Sequence, residues 1–157
     1  MSLRILGLAA GAVLVLGWSG RPQPASRSVN YVARLSGAQE TPSNDTKGTG
    51  TARFTLDGTK LRFKVELHDL GGSPTMAHIH VGARGVAGPP VYTFALKPNA
   101  GSSGTISEGT LELTKDASTG VSGDSLKTLL NNGNAYVNVH TKNFPGGEVR
   151  GQVMMKR

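Results

Sequence analysis

Apolar and polar residues alternate in short bursts along most of this chain. In LRFKVELH (residues 61–68), Leu61, Phe63, Val65 and Leu67 interleave with Arg62, Lys64, Glu66 and His68. A period of two puts one set on each side of a strand, so this segment predicts a half-buried strand. VNYVARLS (29–36) and TARFTL (51–56) read the same way, and Asp57-Gly58 between the second and third runs is a strong hairpin signal. Further strands are predicted over 75–81, 90–96, 107–113, 134–141 and 148–155. One stretch breaks the alternation. Over residues 123–133, Leu126, Leu129 and Leu130 recur at helical spacing, with Asp124 or Ser125 to cap the start and Gly133 to stop the end. A helix of about two turns cannot stand alone and must dock on the strands. The pattern therefore predicts an all-β, antiparallel β-sandwich with one short helix, in a single domain over residues 29–155.

Composition narrows the setting. MSLR, the uncharged apolar run of residues 5–17 and the small, polar residues after Trp18 have the layout of a secretory signal peptide over residues 1–25. Cleavage after Gly20 or Ala25 would release a secreted, periplasmic or cell-surface protein; only an uncleaved leader would tie the chain to a membrane. There is no cysteine, so neither a lipid anchor nor a disulfide is available and the core must hold the domain by itself. The formal charge of +7 is scattered, with no basic run longer than Lys156-Arg157 in this stretch of the chain. Aromatics are only 5% of residues and lack stacking-module spacing, which argues against a nucleic-acid partner.

Two motifs invite chemistry. Gly82, Gly85 and Gly88 in HVGARGVAGPP suggest a phosphate loop, but no lysine-serine ending and no helix follow, so an irregular connection is the better reading. It can still form a rim beside the second motif, AHIH. On a strand His78 and His80 share a face and lie about 7 Å apart, close enough to chelate one ion. Two ligands do not make a site. His140, at the end of NAYVNVH, is the candidate third, and Met76, in phase with the pair, or His68 could add a donor. A thioether from Met76 would suit copper, especially Cu(I). Such a site requires the three ring nitrogens to converge within about 4 Å. Histidines in this pattern can equally be surface residues or hydrogen-bond within the fold. Acyl-transfer chemistry is excluded in practice, since no serine sits in a nucleophile elbow and no carboxylate pair is suggested by spacing.

ARLSGAQETP (33–42), GTGTARFTLDGTKLRFKVELHDL (48–70), AHIHVGARGVAGPPVYTF (77–94) and NGNAYVNVHTKNFPGGEVRGQV (132–153) resemble the CHRD domain, first named from repeats in chordin. That resemblance implies an extracytoplasmic β-sandwich and says little about activity. HDLGGSPTMAHIHVGARG and AYVNVHTKNFPGGEVRG are more faintly similar to the copper-site strands of copper–zinc superoxide dismutase, which would make the sandwich immunoglobulin- or superoxide-dismutase-like. Carried across, the similarity implies copper ligation by His78, His80 and His140, with Arg150 matching an arginine beside the metal. The bridging histidine, the zinc ligands and the disulfide have no counterparts, so no zinc site is implied and dismutation is in doubt. Tyr136 and Asn138 share a face with His140 and are expected to support it, while a pairing with Glu148 is the preferred role for Arg150. The resulting expectation is an exported binding module rather than an enzyme, holding one copper ion. The alternatives are an extracellular interaction or matrix domain with a protein partner and no metal, and a dismutase-like redox enzyme.

Overall fold

A computed structural model describes residues 27–114 and 120–156; the leader expected over 1–25 lies outside them. The order is β1 (Val29–Ser36), a 3-10 turn (Gly37–Gln39), β2 (Thr49–Asp57), β3 (Lys60–His68), β4 (Pro74–Val81), β5 (Pro90–Thr93), β6 (Gly104–Glu112), α1 (Gly123–Asn131), β7 (Ala135–Thr141), β8 (Val149–Gln152) and β9 (Met154–Met155). All described strand pairings are antiparallel. They form one sheet in the order β5-β4-β7-β8-β1-β2-β3-β6, with β9 beside β1. The β2–β3 hairpin is in full register from Thr49↔His68 to Asp57↔Lys60, and Gly58 turns it at φ +60°, a conformation that costs glycine little.

The sheet curls until its ends meet. Beyond β5, Phe94 N–H donates to Ala77 O, and Lys97 N–H donates to Ile106 O of β6 at 2.7 Å. Ser107 Oγ adds a bond to Ala95 O. Phe94 packs its ring against Phe63 and Phe54 at centroid distances of 5.1 and 6.5 Å, so β2 and β3 face the β4–β5 side across one core. Inward positions of every long strand feed it: Tyr31, Phe54, Leu61, Val65, Ile79, Ile106, Val137 and Val139 are all essentially buried. The result is the expected all-β sandwich.

Three details differ from the sequence expectation. The segment 90–96 keeps strand pairing only to Thr93, because its continuation changes partner from β4 to β6. The segment 148–155 is two strands broken at Val153: β8 pairs with β7 and, at Arg150, with β1, while β9 pairs with β1 alone. The helix cap is Ser122, not Asp124 or Ser125; its Oγ accepts from Ser125 N–H. Leu126 and Leu130 bury as expected, and Tyr31 ties β1 to the helix through Asn131 Oδ1 at 2.6 Å.

Candidate metal centre

On β4, Ala77 and Ile79 enter the core while Met76, His78 and His80 face outward; on β7, Val137 and Val139 enter it while Tyr136, Asn138 and His140 face outward. The register pairs Met76↔His140, His78↔Asn138 and His80↔Tyr136. The two histidine-bearing strands are therefore hydrogen-bonded neighbours with their histidines on one side. His78, His80 and His140 offer nitrogens that all lie within 4.8 Å of one another. That is somewhat wider than the ~4 Å expected of donors around one ion.

Hydrogen bonds fix which nitrogens are free. A carbonyl only accepts, so His80 Nδ1, 2.8 Å from Gly88 O, carries its proton, and Nε2 keeps the lone pair. His140 Nδ1 likewise donates to Pro145 O at 3.0 Å and leaves its Nε2 as an acceptor. His78 Nδ1 lies 3.3 Å from that Nε2. His80 Nε2 is buried with no partner. An unpaired buried acceptor costs free energy, and a cation is one group that would relieve it, so the donor set fits a metal. Burial, then the neighbouring imidazoles, pulls the His78 pKa below its ordinary value; burial does the same to His80, opposed by its bond to Gly88 O. Both shifts favour the neutral, ligating form.

Loops convert this outward face into an interior. Tyr136 stacks on His80 at 4.8 Å between ring centroids, and the Arg150 guanidinium lies 3.5 Å from the centre of the Tyr136 ring. Arg150 donates to Val86 O, Ala83 O and Thr41 Oγ1, and Tyr136 Oη both accepts from Gly88 N–H and donates to Gly88 O. The glycine segment is thus a lid strapped down beside the histidines. Gly85 takes φ +76° there, and a Cβ on Gly88 would stand 1.8 Å from Val81 O.

The expected Glu148–Arg150 pairing is not formed. Glu148 is fully buried and accepts instead from Thr46 Oγ1, Gly71 N–H and Thr141 Oγ1 at 2.6–2.7 Å, which leaves Arg150 to the lid. His68 is outside the cluster: it ends β3, exposed, with β2, β1, β8 and β7 between it and β4 in the sheet. Met76 is on the right face and beside His140, but its side is open to solvent at 47% exposure.

Sequence reasoning missed Glu40. Both its oxygens accept from Asn138 Nδ2 at 2.9 Å, and burial raises its pKa to about 7 against the lowering effects of Arg150, Asn138 and Thr41 N–H. The missed carbonyls, Gly88 O and Pro145 O, belong to turns downstream of the two histidine strands. GPP after AHIH and FPGG after NVHT were the available signals.

Fold and centre together define an all-β domain with three imidazoles gathered on two neighbouring strands beneath a roof of loops. The CHRD domain family model matches residues 31–153, and the chain belongs to that family. Neither curated proteins nor solved structures yielded a match. Among the described residues no helix is long and apolar enough to cross a membrane.

Proposed function

We propose that this CHRD domain is an exported, mononuclear copper-binding module in which His78 Nδ1, His80 Nε2 and His140 Nε2 are the ligands. The carrying observation is that one nitrogen of each ring lies within 4.8 Å of the others, with His80 Nε2 buried and unpaired. Neutral imidazoles suit copper, which outcompetes other first-row divalent ions at such donors. Gly88 O and Pro145 O hold the His80 and His140 tautomers as outer partners of a metal site do. For His78 Nδ1 to ligate, its proton must sit on Nε2, so the bond to His140 gives way when the ion enters. Met76 is the fourth donor this reading offers to Cu(I). Tyr136, Asn138 and Arg150 shape the pocket and its lid. Bound copper supplies a redox-capable cation, and superoxide turnover by the loaded protein decides whether the module is also an enzyme.

The metal-free alternative, an extracellular interaction domain, rests on the same 3.3 Å contact taken as an ordinary His78–His140 hydrogen bond. Calorimetric copper titration separates them. One stoichiometric site, lost in both His78→Ala and His140→Ala, is the expected result. Weak binding unchanged by either substitution would leave the interaction domain standing.

A further inference from the structure

The sheet's outward face continues past the loop roof onto β1, β2 and β9, where it stays open. Arg34, Arg53 and Lys156 are exposed and line an open groove of about 520 Å³. A second groove of about 360 Å³ shares Val32 and Arg34 with the first and extends it to Arg84 on the glycine lid. One carboxylate, Glu40, adjoins the lid end beside Arg84, where it is held by Asn138; the other glutamates of this face are on the far strands. Glu66, Glu108 and Glu112 sit on β3 and β6, where they pair with Arg53, Lys64, Lys97 and Lys60. Among the described residues Arg34 and Lys156 make no ion pair, and the Arg84 guanidinium donates to Gln39 Oε1 alone. One of the four cations along the joined trough is ion-paired among the described residues, Arg53 to Glu66. Such an arrangement attracts an extended polyanion rather than a single small ion.

The groove's chemistry favours a sugar chain. Between the cations lie the amide of Asn30 and the hydroxyls of Thr51 and Thr55, groups suited to sugar hydroxyls. Its aromatic members, Tyr31 and Phe54, are each 2% exposed and present no face on which bases could stack. We infer that this trough binds an acidic polysaccharide, a chain carrying a carboxylate on successive sugars. The inference is independent of the histidine centre.

Calorimetry with a polyguluronate decamer tests it. Saturable binding that weakens with added salt is expected, with Arg34→Gln/Lys156→Gln binding about tenfold more weakly. Lys47→Gln/Lys127→Gln, which removes the same charge from exposed sites outside the trough, should bind as the parent does. His78→Ala should also bind normally, which keeps this result separate from the fate of the copper reading. Matched thermal melts of the exposed double variants confirm that folding is intact. The inference is overturned if the parent does not bind, if both double variants lose equally, or if single-stranded DNA of equal charge binds at least as tightly.

Discussion

β7 and β2 begin from the same alternation and end in opposite environments. β2 buries every second residue and leaves Arg53 exposed, with Thr51 and Thr55 half-buried. In β7 all seven residues are buried, the polar Asn138, His140 and Thr141 included. The inward sets are alike, so the core does not cause the difference. Loops do: the turn after β1, the glycine lid and the turn after β7 send Glu40, Gly88 O and Pro145 O to meet its outward side chains, and Glu148 meets Thr141 at the strand's end. Period-two patterning says which way a side chain points; it does not say whether water is there. Where loops cover the polar face, groups on it need partners, and the two atoms left unpaired there, His80 Nε2 and Asn138 Oδ1, are informative in a way that Arg34 on the open face is not.

The contrast can be broken most forcefully at Glu148. Glu148→Ala leaves the hydroxyls of Thr46 and Thr141 and the Gly71 N–H without their acceptor, and should cost about 3 kcal/mol in chemical denaturation. Glu66→Ala on the open face, where the carboxylate holds Arg53 and Lys64 at the surface, should cost less than about 1 kcal/mol. Equal losses would mean that the covered end of β7 is no drier than the open sheet. Next is the effect of copper on stability. Free ion at a hundred times its dissociation constant should stabilise the parent and His68→Ala by about 2.7 kcal/mol, and His80→Ala not at all, each measured against its own metal-free melt. Smaller again is Arg150→Lys. One ammonium cannot hold Thr41, Ala83 and Val86 together as the planar guanidinium does, so a loss of about 1.5 kcal/mol is expected. Arg53→Lys, which keeps its charge beside Glu66, should change stability by less than about 0.5 kcal/mol.

Much of this was legible in the chain. Strand positions, the helix and the common facing of His78 and His80 follow from local periodicity, which survives folding because the core enforces it. That His140 joins them depends on β4 pairing with β7, which begins at Ala135, 54 residues after β4 ends at Val81. Alternation within NAYVNVH could name His140 as a candidate, and the family resemblance supported it, but neither strand alone shows that the two are neighbours. The role of Glu148 was misread because Glu148 and Arg150, two apart on one face, look like partners in isolation. Donors from three distant segments claim the glutamate instead. Glu40 was invisible for the same reason. Its partner Asn138 is 98 residues away, and nothing in SGAQETP marks a carboxylate that will be desolvated.

Glu40 supplies the smallest test, and its sign is opposite to that of the histidines. Its folded pKa, about 7, exceeds the ordinary 4.5, so between those values the folded protein holds a proton that the unfolded chain releases. Stability from this group is therefore full below about pH 4.5 and declines as pH rises through 7. His78 and His80, pulled below their ordinary 6.5, contribute stability that is present above pH 6.5 and lost as pH falls. In metal-free protein the two trends oppose each other. Glu40→Gln keeps an acceptor for Asn138 and removes the carboxylate's titration, so its stability relative to the parent should be greater at pH 8 than at pH 4.5, with the crossover centred between pH 5 and about 7. Denaturation midpoints across that range provide the measurement. A parent and variant that differ by the same amount at every pH would show that Glu40 is solvated after all, and that the roof over β7 stops short of it.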